Sequence, residues 1–220
     1  MPKYDGGSQS LEVVNSERDL GVVVDNGLNF REHVASIVSK ANSILGIIRL
    51  TFRYLDRDTV LLLYKALVRP VLEYGQPAWS PIYRRESEAI ESVQRRATKL
   101  VPGLCSLPYE QRLRELNLFS LSHRRLRGDM VFVYKYLNGL IISTHDLFIR
   151  SHGSVTRGHS YKLVKPRVNT SLRQKNFTQR SISYWNSLPE HVVNSPSLNC
   201  FKSRLDSFWK EKPGVFDFQQ

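Results

Sequence analysis

The chain has 220 residues, of which 32 are Lys or Arg and 20 are Asp or Glu, giving a formal net charge of +12. This length suffices for one or two domains with a buried core, and the charge favours an anionic partner, with nucleic acid as the leading candidate. The first residues lack the apolar run of a secretory signal, and no run of about 18 continuous apolar residues predicts a membrane span. Cys105 and Cys200 lack the paired spacing of a zinc site or a disulfide framework. We therefore expect an intracellular protein, in the nucleus or the cytoplasm, with free thiols and no membrane partner.

A small antiparallel pair of strands is predicted at residues 1–28. Short β-branched runs at 11–14 and 20–24 flank a polar turn at 15–18, and Asp25-Asn26-Gly27 ends the second run. Asn29, with Glu32 three residues later, has the pattern of a capping box and predicts the start of a helix.

Residues 29–140 predict an orthogonal helical bundle, because apolar residues recur there at helical spacing without a heptad. The stripe of the first helix is Val34, Ile37, Val38, Ala41, Leu45 and Ile48. A second helix begins near Asp56 or Asp58, and its stripe is Val60, Leu63, Tyr64, Leu67, Val71 and Tyr74. Pro70 should kink or end this second helix, and Leu67→Ala should cost about 2–5 kcal/mol as a core truncation. Further helices are predicted at about 86–101, 108–116 and 120–137.

Residues 141–220 predict a separate basic C-terminal module, because no Asp or Glu occurs between Leu147 and Pro189. Eight basic residues lie in this acid-free segment: Arg150, Arg157, Lys162, Lys165, Arg167, Arg173, Lys175 and Arg180. A helix through Phe177 and Trp185 and a last helix beginning at Ser195-Pro196 should supply its core. The predicted fold class is therefore mainly α with a small N-terminal β element.

Four stretches of the chain, in order, resemble one family. They read DLGVVVDNGLNF from Asp19, LVRPVLEYGQPAWSPIYRRESEAIESVQRRATKL from Leu67, YEQRLRELNLFSLSHRRLRGDM from Tyr109, and FTQRSISYWNSLPEHVV from Phe177 followed by SPSLNCFKSRLD. Together they resemble the region that follows the catalytic palm in reverse transcriptases of non-LTR (LINE-type) retrotransposons, most closely jockey-like and chicken-repeat-like elements.

The resemblance implies an RNA-directed DNA polymerase of which this chain holds the part that grips the template–primer duplex. Residues 1–28 would be a remnant of the palm, 29–140 a thumb-like bundle and 141–220 the basic module. The family's Mg²⁺-dependent chemistry lies in an upstream Tyr-x-Asp-Asp turn, and this chain has no Asp-Asp pair. We therefore expect a truncated open reading frame without polymerase activity, metal or cofactor. The alternatives are a non-catalytic nucleic-acid-binding protein retained by a host and an inert relic.

Three basic clusters are candidates for phosphate contact with RNA, DNA or an RNA–DNA hybrid. The first, on the helix near 86–101, could instead be a solvated face partly neutralised by Glu88 and Glu91. The second, around residues 124–127, could instead form internal ion pairs with Glu110 and Glu115. The third, the acid-free segment, could instead be a loop with no specific role. The residues proposed to contact nucleic acid are Arg84, Arg85, Arg95, Arg96, Lys99, Arg124, Arg125, Arg127, Arg157, Lys162, Lys165, Arg167, Arg173 and Lys175.

Overall fold

A computed structural model describes residues 13–151 and 158–210 of the chain. The fold is mainly helical with a small antiparallel sheet near the N-terminus, as the sequence predicts. The elements in chain order are β1 Ser16–Asp19, β2 Val22–Asp25, α1 Arg31–Thr51, α2 Arg57–Leu63, a π-helix Tyr64–Val68, α3 Arg69–Glu73, α4 Arg84–Lys99, α5 Tyr109–Glu115, α6 Leu121–Leu137, α7 Ser171–Lys175, α8 Phe177–Asn186, α9 Glu190–Val193 and α10 Leu198–Lys210.

The hairpin differs in register from the prediction. The polar stretch expected to be a turn forms most of β1, and the turn is Leu20-Gly21, where both residues have positive φ angles of 43° and 85°. Two consecutive positive φ angles suit the right-handed twist of a tight hairpin. β1 tolerates polar residues because it is mostly exposed, whereas Val22 of β2 enters the core.

Asp25, rather than a capping box at Asn29, organises the start of α1. Its carboxylate accepts hydrogen bonds from the backbone N–H groups of Gly27, Asn29 and Phe30, at 3.0, 3.2 and 2.8 Å. Phe30 is the residue before the helix, in a left-handed conformation with φ of 56°, and no side chain caps the helix there. The predicted apolar stripe of α1 is nevertheless confirmed, since all its members are buried except the half-buried Val38.

By length and composition alone, α1 is long and apolar enough to cross a membrane, with a mean hydropathy of 1.2. Its buried stripe packs against α4 and β2 in the core. The core helix of a soluble protein can have the same length and composition, so the absence of a membrane partner stays a prediction.

A π-helix between α2 and α3 shifts the buried stripe by one residue. The N–H of Arg69 donates to the carbonyl of Tyr64, five residues earlier. This wider turn accommodates Pro70, whose ring would clash with the preceding turn of a regular α-helix. Val68 and Leu72 are consequently 0% and 1% exposed, whereas Leu67 is 48% exposed. The predicted core position of Leu67, and with it the expected cost of Leu67→Ala, is wrong, and the helical path continues through Pro70.

The helices enclose two large hydrophobic clusters that meet on α6. The first cluster joins β2, α1, α4 and the α2–α3 segment, and Leu121 of α6 belongs to it. The second joins α8, α9 and α10 with Met130, Val133 and Tyr134 of the same helix α6. Because one helix serves both clusters, the predicted division at residue 140 lies just after a shared element and stays a prediction.

Several local predictions need correction. α4 begins at Arg84 rather than near residue 86, so Arg84 and Arg85 lie in its first turn. α10 begins at Leu198, where Ser197, not Ser195, accepts a hydrogen bond from the N–H of Cys200. Trp185 is buried as predicted, and so are Trp79 and Trp209, whereas Tyr74 of the predicted stripe is exposed.

His123 on α6 should make stability fall on acidification. It is stacked on Phe119 and meets Trp209 edge-on, and its burial lowers its pKa from 6.5 to about 4. Between pH 4 and 6.5 the His123 side chain binds a proton more readily in the unfolded chain than in the folded one. The contribution of His123 to the free energy of unfolding is therefore fully present above about pH 6.5 and is lost as the pH falls through about 4. His123→Phe should therefore reduce the loss of unfolding free energy between pH 7 and 4 by about 1–2 kcal/mol.

Urea unfolding of both proteins across this pH range measures the effect. Burial also lowers the pKa of His33 and His159 and raises that of Glu91 and Asp129. Those groups are present in both proteins, so the difference between the two curves reports His123. Parallel curves would contradict the assignment.

Candidate nucleic-acid interface

The arginines of α6 point into the protein and make internal contacts. Arg124 forms a bidentate ion pair with Glu73, and Arg127 forms one with Asp206 at 2.6 and 2.9 Å. Arg125 is buried and donates to the hydroxyls of Ser87 and Ser122, at 2.8 and 2.9 Å. The prediction of nucleic-acid contact by these three is therefore corrected, because their guanidinium groups join α6 to α3, α4 and α10. Their partners differ from Glu110 and Glu115, which the alternative interpretation had named.

One further ion pair of α6 reaches into the acid-free segment. Arg180 of α8 donates to both oxygens of Asp129, at 2.8 and 3.1 Å. Arg180 is thus a compensated charge, although no acidic residue lies within its own segment. Burial raises the pKa of Asp129, and the hydrogen bonds and charge of Arg180 oppose that rise.

Glu91 of α4 faces the interior rather than the solvated face on which it was expected. It accepts hydrogen bonds from the hydroxyl of Tyr109 and from the N–H of Leu121. Burial raises the pKa of Glu91, while these hydrogen bonds and Arg125 oppose the rise. Glu91 therefore links α4, α5 and α6 and does not neutralise the basic face of α4.

The exposed face of α4 retains part of the predicted basic cluster. Arg84 pairs with Glu88 at 2.6 Å, as the alternative interpretation expected, and Arg96 donates to Asn42 at 2.9 Å. Arg95 lies over the ring of Tyr109, with 5.0 Å between the guanidinium carbon and the ring centroid. Arg85 and Lys99 are exposed and form no ion pair within the described parts of the chain. The free charges of α4 therefore lie near its two ends, about 21 Å apart along the helix axis.

The acid-free segment forms an open basic groove, which is the main feature of this surface. It has a volume of about 680 Å³, and its lining consists of Lys165, Pro166, Arg167, Val168, Asn169, Gln174, Lys175 and Gln179. No Asp or Glu belongs to this lining, and three of its eight residues are cations. Arg167 and the nearby Arg173 are exposed, and neither has an ion-pair partner among residues 13–151 and 158–210. We call this feature the basic groove.

The basic groove lies next to the first turn of α4. Lys175 donates to the carbonyl of Ile82 at 2.8 Å, and its Nζ lies 5.1 Å from the centroid of the Tyr83 ring. The guanidinium of Arg31 lies 4.8 Å from the same ring. Since Arg84 and Arg85 follow Tyr83 directly, two predicted clusters about 80 residues apart in sequence meet at one surface.

The other cations of the segment have different surroundings. Lys165 donates to the hydroxyl of Ser183 at 2.6 Å and remains exposed. Arg150 donates to the carbonyl of Leu137 and lies over the ring of Tyr161. Lys162 is half-buried, and Arg157 lies outside the described residues. The exposed cations of the segment are therefore Arg150, Lys165, Arg167, Arg173 and Lys175, and the last four lie in or next to the lining of the basic groove.

Three aspartates in different parts of the chain have structural roles. Asp25 organises the start of α1, Asp56 caps α2 by accepting from the N–H of Thr59 at 2.7 Å, and Asp129 pairs with Arg180. No group of three or more His, Cys, Asp or Glu residues suited to a metal ion occurs in the described ranges.

The chain has a distant relative among known proteins. Over 132 residues, the chain is 26% identical to a Caenorhabditis elegans protein described as uncharacterized protein B0403.1; the match covers 59% of this chain and 67% of the relative. No protein-family model matches the chain. No solved structure matches it either.

Sequence reasoning missed the polar, uncharged part of the basic groove. Asn169, Gln174 and Gln179 lie among the cations, and Arg31 approaches from a helix about 140 residues earlier. The cations themselves were identified from the absence of acidic residues. The amides had no comparable signal, because their position depends on how α7 and α8 pack.

Proposed function

We propose that the chain is a fragment of a retrotransposon RNA-directed DNA polymerase that retains the region gripping the template–primer duplex without the catalytic palm. In this proposal it binds RNA, DNA or an RNA–DNA hybrid through phosphate contacts at the basic groove and the exposed face of α4. The sequence resemblance supports the origin of the fragment. The groove supports the binding activity.

The single observation that carries the binding proposal is the uncompensated charge of the basic groove. Lys165, Arg167, Arg173 and Lys175 are exposed and close together in sequence, without an ion-pair partner among the described residues. Surfaces of soluble proteins usually intersperse both signs of charge, and like charges repel one another. A polyanion such as nucleic acid would relieve this repulsion.

The test is the salt dependence of binding to an RNA–DNA hybrid. Each phosphate neutralised by Lys or Arg releases counterions, so log affinity falls with log salt by roughly 0.9 per phosphate for a duplex. Changing Lys165, Arg167, Arg173 and Lys175 together to Gln should flatten this slope by about 2–4 units and leave the fold intact, because these side chains are exposed. Fluorescence anisotropy over a series of salt concentrations gives both slopes.

A matched control removes the same amount of charge elsewhere. Arg49, Arg53, Lys65 and Arg114 are exposed and do not line the basic groove. Their joint change to Gln should leave the slope nearly unchanged. Equal flattening by both quadruple changes would show that only net charge matters, and no binding by the parent at about 10 µM and low salt would favour the inert relic.

A further inference from the structure

We infer that the basic groove holds one unpaired nucleotide, with its phosphate on the lysines and arginine and its base hydrogen-bonded by the groove's side-chain amides. The inference rests on the proposed nucleic-acid binding and goes further, because it assigns recognition of a base to a surface so far described only by its charge.

Gln179 supplies the observation that points to a ligand. It lies on α8 and is only 2% exposed, yet it lines the basic groove. Its Oε1 is buried and accepts no hydrogen bond from any residue the structure describes. A buried amide oxygen without a partner carries a desolvation cost, and such groups are rare in folded proteins. The oxygen itself is inaccessible in the unliganded chain, so a ligand donor in the groove would remove that cost when the Gln179 amide turns toward it.

The surrounding residues divide into two chemical types that match the two parts of a nucleotide. Lys165, Arg167 and Lys175 supply positive charge, which suits the phosphate. Asn169, Gln174 and Gln179 supply amides, each with a donor and an acceptor, which suits the edge of a base. Asn and Gln pair with adenine through two hydrogen bonds, so adenine is the base expected to fit best.

The shape of the groove agrees with such a ligand. Its volume of about 680 Å³ falls within the range of small-molecule sites, and the groove is open at the surface. A base can enter a concave groove between side chains only when it is unpaired, since in a duplex it is stacked between its neighbours and held against its partner strand. The expected ligand is therefore a nucleotide of a single strand or of a frayed duplex end.

The experiment compares two single strands with equal charge. One is an oligodeoxyadenylate of about eight nucleotides, and the other has the same phosphates and sugars but no bases. Binding of each by the full chain is measured by competition against a labelled oligonucleotide at one low salt concentration. The parent should bind the strand with bases about tenfold more tightly, a difference in line with one good pair of hydrogen bonds to a base.

Two variants test the amides. Gln179→Leu keeps the size of the side chain and removes its hydrogen bonds, and it should bind both strands equally with an unchanged salt slope. Asn169→Ala changes an exposed residue and should reduce the preference without affecting folding, which keeps the test valid if Gln179→Leu does not fold.

The outcomes distinguish this inference from the proposed phosphate binding on which it rests. Equal binding of both strands by the parent, with normal salt dependence, would overturn the nucleotide site and leave phosphate binding in place. A preference for bases that persists in both variants would overturn the assignment to the amides. Failure to bind either strand would refute the proposed function and the inference together.

Discussion

Replacing Asp129 by Ala should lower the free energy of unfolding by about 3–5 kcal/mol. The carboxylate is 5% exposed and accepts two hydrogen bonds from Arg180. Removing it would leave the Arg180 guanidinium in a site where little water can replace the lost oxygens. It would also take away a negative charge near the buried Arg125. Urea unfolding at neutral pH, followed by circular dichroism, measures the change.

A second ion pair of α6 provides the control. Asp206 and Arg127 are similarly bidentate, but their side chains are 30% and 25% exposed. Asp206→Ala should cost only about 1 kcal/mol, because water can solvate the arginine that remains. Replacing Asp129 by Leu together with Arg180 by Met should recover much of the loss, since an apolar pair leaves no charge buried. Equal costs for the two Asp→Ala changes would contradict burial as the cause.

Replacing Leu72 by Ala should lower the free energy of unfolding by about 2–5 kcal/mol. Leu72 is 1% exposed and belongs to the first hydrophobic cluster, so its truncation leaves a cavity between α3 and α1. Thermal or urea unfolding of the variant gives the value directly.

Leu67→Ala is the matched control for the π-helix. The same chemical change occurs five residues earlier in the same helical path, but Leu67 is 48% exposed. It should cost no more than about 0.5 kcal/mol. In a regular α-helix through this region Leu67 would be a buried residue, and its truncation would be costly. A large loss of unfolding free energy in Leu67→Ala would therefore show that the π-helix is not present in solution.

The helices that could be predicted from sequence are those with an uninterrupted apolar stripe. α1 buries all but one of the residues expected of it, because a period of 3.6 continues from end to end. The predicted buried stripe is wrong after Tyr64. One wider turn there changes which of the later residues face the core, without changing the amino-acid composition. The hairpin register failed for a related reason, because an exposed strand such as β1 has no alternation of burial to reveal it.

The sequence predicts which residues of the candidate interface are charged, but not which of them form ion pairs inside the protein. An acid-free segment is visible in the sequence, and its cations do line the basic groove. Whether an arginine is free depends on contacts between distant residues, and the partners of Arg124, Arg127 and Arg180 are separated from them by 51, 79 and 51 residues. Local sequence pattern contains no information about such pairs. The three arginines of α6 were therefore assigned to nucleic acid although the fold uses them internally.

The position of α6 in both hydrophobic clusters has a consequence for folding cooperativity. Opening the second cluster would expose Met130, Val133 and Tyr134 on a helix whose first turn is held by the first cluster. Neither cluster can lose its order without exposing apolar surface that belongs to the same helix, so local opening of one half is costly. The two halves are therefore expected to behave as one thermodynamic unit, in which the packing beneath the basic groove depends on residues as distant as β2.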